Sequence, residues 1–277
     1  MINILLCGNQ GVFDGMLTLL LSLLKRGRYE EGISLTVFTM DLTDIDEKYL
    51  PLTAWHAELL TKVMREHGVS GEVILKDVTA LYNEHFRGCP NEGAYCSPYT
   101  LIRLLADLVP DMPDKLLYLD CDLLLNRDAE LLYSKDVSEV DYAAARDRYG
   151  KLLVSPNYIN AGVLLLNLAR IKKDGLFARA RAILRERRLT FADQSALIRA
   201  RGERIILPQK FNQQKRLTAD TVVFHFSKRL IWLPFPHTVN IKQWHVSSVH
   251  KVLKCYGFDD ILFEYLYYKE AFRRENG

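Results

Sequence analysis

Along the chain, short apolar runs alternate with longer segments whose apolar positions return every three to four residues. The short runs predict strands over 4–7, 35–39, 72–75, 114–119, 142–145, 163–166 and 222–226. Helical spacing predicts helices over 15–26, 53–67, 98–108 and 171–188. The third opens with Pro98 in its first turn, where a missing amide hydrogen costs nothing. Strands alternating with helices imply an α/β fold, a mostly parallel sheet with helices on both faces. From about Lys242 the chain turns to interleaved aromatic and charged residues, among them Tyr265, Tyr267, Tyr268, Arg273 and Arg274. The expected division is therefore one domain over 1–241 and a small helical C-terminal appendage over 242–277.

Composition adds exclusions. A content of 49% hydrophobic and 26% charged residues in 277 positions is that of a globular protein with a sizeable core. The net charge of +3, from 37 basic and 34 acidic residues, is too small to predict nucleic acid as a partner. The cysteines Cys7, Cys89, Cys96, Cys121 and Cys255 are odd in number and form no CxxC pair, a pattern of reduced thiols in a cytosolic protein. The apolar start, Met1 to Gly8, is too short for a membrane span and lacks a basic leader, so no signal peptide is expected and the predicted location is cytoplasmic.

Ligands of open α/β sheets bind outside the carboxyl ends of strands, so polar residues that follow strands are the candidates. Asp120 and Asp122 interrupt the apolar run from Leu116 to Leu125. Residues two apart in an extended backbone point the same way, and paired carboxylates there repel unless a cation joins them. Oxygen ligands of this kind suit magnesium or manganese. The alternative is that one aspartate caps a turn and the other is solvated. A haloacid-dehalogenase-like phosphatase also carries Asp-x-Asp after a strand. It usually has Thr or Val where this chain has Leu124, and it usually places the strand near the start of the chain.

Further residues give the pair a context. The run Leu117-Tyr118-Leu119-Asp120-Cys121-Asp122 resembles the Asp-x-Asp signature of family 8 retaining glycosyltransferases, which include lipopolysaccharide galactosyl- and glucosyltransferases and glycogenin. Arg103 precedes it. Tyr158 to Leu168 resembles the family's Asn-Ala-Gly block, Asp193-Gln194 follows, and Phe224-His225-Phe226-Ser227-Lys228-Arg229 is similar to a late histidine block. Each motif alone is weak, but five in family order, in a resemblance reaching from Asn3 to about Trp232, are specific.

The resemblance implies a GT-A type fold with a nucleotide-sugar-binding sheet, and a metal-dependent hexosyltransferase. Manganese (or magnesium) would be held by Asp120, Asp122 and His225, a mixed O/N set. Without the family context, His225 between two phenylalanines reads as a hydrogen-bonded core histidine. Leu6, Cys7, Gly8 and Asn9, at the end of the first strand, would hold the uracil and ribose, with Asn9 standing where the family often has aspartate. Arg103, Asp120, Cys121 and the backbone of Asn160, Ala161 and Gly162 would line the donor sugar. Arg103 read alone is equally a solvated helix residue. Asp147, Asp193 and Gln194 would face the hexose at the reactive centre, although Asp193 by itself is as readily an N-cap and Asp147 a turn residue. Lys228 or Arg229 would neutralise the diphosphate, in a family that commonly places that lysine several residues after the histidine.

The implied reaction moves glucose or galactose from a UDP-sugar to a glycan or glycolipid acceptor with retention of configuration. Two other classes stay open: a sugar-phosphate nucleotidyltransferase and a non-catalytic sugar-nucleotide or glycan-binding module. The first loop, Gly8-Asn9-Gln10-Gly11, lacks the basic residue a nucleotidyltransferase would want. The segment Phe263 to Arg274 admits two readings, peripheral contact with a membrane surface or an amphipathic helix packed on the main domain.

Overall fold

The structure, a computed structural model, describes residues 1–93, 97–231, 235 and 237–276. Its strands in chain order are β1 (Ile2–Cys7), β2 (Ile33–Thr39), β3 (Gly71–Asp77), β4 (Lys115–Leu119), β5 (Leu123–Leu125), β6 (Tyr142–Arg146), β7 (Ile159–Asn167), β8 (Arg204–Leu207), β9 (Val223–His225), β10 (Arg229–Ile231) and β11 (His237–Val239). The α-helices are α1 (Phe13–Arg26), α2 (Ala54–Glu66), α3 (Thr79–His85), α4 (Glu130–Tyr133), α5 (Gly150–Leu153), α6 (Leu168–Asp174), α7 (Leu176–Glu186), α8 (Ala192–Arg199), α9 (Val246–Lys251) and α10 (Asp259–Asn276).

The central sheet runs β3-β2-β1-β4-β7-β6-β8. Neighbours pair in parallel except at β7, which runs against β4 and β6. The sheet is therefore mostly parallel, as the alternation of elements predicts. Period-two geometry divides its side chains between two cores. Ile4, Leu6, Leu117, Leu119, Val163 and Leu165 face one, with α1 and α10. Leu5, Cys7, Leu116, Tyr118, Leu164 and Leu166 face the other, with α7 and α8.

Helix α1 is buried from Gly15 to Leu24 rather than half-exposed, because α10 lies over its outer side. Lys25 pairs with Glu264 at 2.6 Å, Arg26 with Asp260 at 2.7 Å and Lys269 with Asp14 at 2.6 Å. Ile261, Leu262 and Tyr265 of α10 are buried, while Phe263, Leu266 and Tyr267 face outward. Asp260 and Glu264 of this segment thus tie it to α1, while Asp259 and Glu270 pair within the segment, with His250 and Arg274. Among the described residues no helix is long and apolar enough to cross a membrane.

Several elements differ from the expectation. The segment 98–108 is not an α-helix. It forms 3-10 turns at Pro98–Thr100 and Ile102–Leu105, tightened because Leu101 to Ala106 are buried on every side. The helix expected over 171–188 breaks at Gly175, whose φ of +67° ends α6 in the left-handed region that glycine adopts freely. The strand expected over 222–226 lies outside the main sheet, pairing as β9 with β5. Cys7, Cys89, Cys121 and Cys255 are free thiols; Cys96 and Trp232 lie outside the described residues.

Leu165, fully buried in β7 and registered between Leu117 and Ala143, tests this sheet order. Leu165→Ala is expected to cost about 2–5 kcal/mol in urea unfolding. A loss under about 1 kcal/mol, the range of exposed sites, would contradict its central place.

Candidate functional site

Strands β1 and β4 run side by side, with Leu5 opposite Tyr118, and end at the same edge of the sheet. Beyond β4 the Asp120 amide still donates to Gly162 O at 2.8 Å, so Asp120 stays in line with the β4–β7 ladder. Cys121 and Asp122 then turn the chain into β5, whose Leu123 is registered opposite His225 of β9. The Phe226 amide donates to Asp122 O at 2.9 Å and locks that turn. This pairing brings residues far apart in sequence together: ligating atoms of Asp120, Asp122 and His225 lie within 4.8 Å of one another.

The backbone around the triad is built for close approach. A Cβ on Gly162 would stand 2.6 Å from His225 Cε1 and 2.7 Å from Asp120 Oδ2, so any side chain there would push into the group. The donor set fits a divalent cation, because two carboxylates and an imidazole supply hard oxygen and borderline nitrogen in one small space.

Each carboxylate has its own counter-charge. Asp122 receives Lys242 Nζ on Oδ2, and His225 Nε2 stands 3.1 Å from Oδ1. Burial pushes the Asp122 carboxyl up in pKa, but the charges and hydrogen bonds of Lys242 and His225 outweigh it and hold it well below the usual carboxylate range. Asp120 is served from the other side. Arg103, 3% exposed, donates from Nη2 to Asp120 Oδ1 at 2.9 Å and from Nη1 to Ala161 O at 2.5 Å. Its Nε lies 3.3 Å from Asp193 Oδ2, and its guanidinium stacks 4.1 Å above the Tyr118 ring. Tyr118 donates its hydroxyl to the same Asp120 Oδ1 at 2.5 Å. Burial alone would weaken the Arg103 charge, but the field of Asp120 keeps it protonated. Arg103 is therefore a buried clamp and not a solvated residue. Asp193 lies inside α8 behind the cap residue Phe191, so it is not an N-cap; burial raises its pKa against the pull of Arg103.

Polar side chains close the remaining sides. Gln194 Oε1 accepts from the Ala161 amide at 3.1 Å. Asp147 Oδ2 accepts from Asn160 Nδ2 at 2.8 Å, while Oδ1 accepts from the amides of Tyr149 and Gly150. Asn160 is joined through buried Asn212 to His225. At the end of β1, Cys121 Sγ donates to Cys7 O at 3.4 Å, which sets the first strand's end beside the aspartates. Leu6 packs into the core, Gly8 presses against Val12 and Met16, and buried Asn9 donates to Lys48 O at 3.3 Å.

The structure thus brings together Arg103, Asp120, Asp122, Asp147, Asn160, Ala161, Gly162, Asp193, Gln194 and His225. Lys228 and Arg229 stand differently. Lys228 is exposed, and Arg229 lies 5.3 Å over the Phe224 ring, on the side of β9 opposite His225. The lysine on Asp122 is Lys242, which the sequence shows only as the start of the appendage. The hairpin β10–β11 stands between it and the histidine. Gln243 fixes it by donating to Cys121 O at 2.8 Å and Thr18 Oγ1 at 3.0 Å, and Trp244 packs where a Cβ on Gly15 would come within 2.6 Å. Tyr118 and Asn212 were also missed; for Lys242 the signal available was the tryptophan two residues on, Trp244, which is partly buried against the core.

Comparisons with known proteins give a family and a fold. The sequence model described as "Glycosyl transferase family 8" matches residues 37–245. The chain is 37% identical over 95 residues to glycosyltransferase GlyA of Streptococcus pneumoniae serotype 4, a match spanning 34% of this chain and 13% of that one. It superposes on the galactosyltransferase LgtC, solved with donor and acceptor sugar analogs, at a TM-score of 0.70 and 18% identity, covering 95% and 96% of the two chains. With the bifunctional glycosyltransferase WbbM, the TM-score is 0.63 at 14% identity, over 82% of this chain and 46% of that one. The two structural likenesses are of fold.

Two outcomes are expected. Gly162→Ala should lower Mn2+ affinity at least about tenfold, since the new methyl displaces His225 or Asp120; an isothermal titration giving wild-type affinity would refute the crowding. In the metal-free protein, the depressed pKa of Asp122 contributes stability that is full above its ordinary value of 3.8 and is lost as pH falls through the folded value. Urea midpoints of Asp122→Asn should therefore fall less steeply below about pH 4 than those of wild type. Parallel curves would remove Asp122 from the acid limb.

Proposed function

The chain belongs to glycosyl transferase family 8, and on that premise we propose that it moves a hexose, glucose or galactose, from a UDP-sugar to a glycan or glycolipid acceptor, using a divalent cation. The single observation that carries the reading is the meeting of Asp120, Asp122 and His225 at the sheet edge. Those three residues would hold the cation, manganese in preference to magnesium because of the nitrogen ligand. When bound, the cation supplies Lewis-acid neutralisation of the departing diphosphate.

The protein's own groups do the rest. Lys242, held against Asp122 by its anchored neighbours Gln243 and Trp244, is assigned the diphosphate in place of Lys228 and Arg229. Arg103 holds Asp120 and Asp193 at fixed positions. The end of β1, from Leu6 to Asn9, takes the uracil and ribose, with Cys121 beside it. Asn160, Ala161 and Gly162 offer backbone to the donor sugar, and Asp147 and Asp193 orient its hydroxyls. Gln194 is a poor nucleophile and its carbonyl is already occupied by the Ala161 amide. A front-face route, in which the acceptor attacks beside the leaving phosphate, is the economical path to a retained, α-linked product. Outward Phe263, Leu266 and Tyr267 support a peripheral place at the inner face of a membrane.

Assays of UDP-glucose and UDP-galactose turnover with Mn2+ and with chelator test this reading. Asp122→Ala is expected to lose about three orders of magnitude in kcat, and Lys242→Ala about two. Metal-independent turnover, or full activity of Asp122→Ala, would end the cation assignment, and a β-linked product by NMR would end retention.

A further inference from the structure

His225 offers two ring nitrogens, and only a nitrogen free of hydrogen can ligate a cation. Side-chain amide orientations are ambiguous by themselves, but here backbone amides settle them. The Gly162 N–H, a donor that cannot be reversed, points at one terminal atom of the Asn160 amide at 3.0 Å. That atom must be the oxygen, and the other, 2.8 Å from Asp147 Oδ2, must be the nitrogen. Asn212 approaches the same Asn160 oxygen at 2.8 Å and must present its NH2 there. Its own oxygen is thereby turned toward His225 Nδ1, 3.0 Å away.

A second, independent chain gives the same answer. The Arg148 N–H donates to the Gln214 amide at 3.0 Å, which fixes the Gln214 oxygen on that side. The Gln214 NH2 then faces Asn212 at 3.4 Å and again requires an oxygen. Asn212 is fully buried, so bulk water cannot substitute for either partner. With an acceptor opposite it, His225 Nδ1 must carry a hydrogen, so Nε2 is the ring nitrogen left to ligate a cation. Nε2 lies 3.1 Å from Asp122 Oδ1: without metal it can keep a second hydrogen that this oxygen accepts, and a bound cation would take that hydrogen's place between them.

We infer that Asn212 is a positioning residue: through the backbone amides of Gly162 and Arg148 it sets the Nδ1–H tautomer of His225 and aims Nε2 as a cation ligand. Metal-bound histidines elsewhere are oriented by a partner on the other nitrogen, and loss of such a partner costs 10–100-fold in metal affinity. The inference deepens the cation reading of the same triad and rests on it for its second half only.

The test joins a spectroscopic and a binding readout. Long-range 1H–15N correlation on 15N-histidine protein, metal-free at neutral pH and with His225 assigned by the His225→Gln variant, should show Nδ1 protonated. A neutral ring protonated at Nε2 alone would overturn the inference, and this measurement needs no variant at Asn212. Titration of the Mn2+ EPR signal with folded Asn212→Leu should give affinity about 10–100-fold below wild type; unchanged affinity would overturn the positioning role. A wild type with the Nδ1–H tautomer but no affinity for Mn2+ would sink the cation reading and uphold the tautomer relay.

Discussion

Two carboxylates side by side at the end of a buried strand dominate this molecule. Their repulsion grows as water is withdrawn, and desolvation adds to it. The surroundings of Asp120 and Asp122 amount to a response. Arg103 and Tyr118 serve the first, Lys242 and His225 the second, and each set approaches from a different element. Among Asp120, Asp122, Asp193, Arg103 and Lys242, three negative charges meet two positive ones. With His225 neutral, the residual negative charge lies where the triad converges, and a cation bound there would offset it.

That constraint extends into the core. Lys242 reaches Asp122 only because Gln243 and Trp244 lock onto the Cys121 turn and onto α1, and α1 admits them because Gly15 lacks a side chain. Helix α10 in turn covers α1 through Lys25, Arg26 and Lys269 contacts. The C-terminal segment is thus mechanically continuous with the aspartate turn. Disturbing α10 would loosen the base at Asp122 without touching the triad directly.

Much of this was legible in the chain. The Asp-x-Asp turn stood out because charges in an apolar run are costly, and Gly175 marked its own helix break, although the run was read through it. Arg103 could not be placed from spacing, since burial turned the expected helix into 3-10 turns and its exposed face into an interior one. Lys242 was hidden by the hairpin from Arg229 to Val239, which separates it from His225 along the chain while the fold brings both to Asp122. Asn212 gave no signal, because an amide between two loops acquires meaning only through the partners that tertiary structure supplies.

The choice of amides around His225 follows from the same charge constraint. A carboxylate opposite His225 Nδ1 would be the commoner way to orient a ligating histidine. Here it would add a fourth buried negative charge to a cluster that already exceeds its bases by one. It would also set two acceptors face to face at Asn160 Oδ1, which already takes the Gly162 amide. An asparagine avoids both penalties, since it accepts at one end and donates at the other. It carries no net charge, yet it transmits the fixed direction of a backbone N–H to an imidazole. Orientation is thereby supplied by dipoles, and the formal charges are left to balance the carboxylates and what they bind.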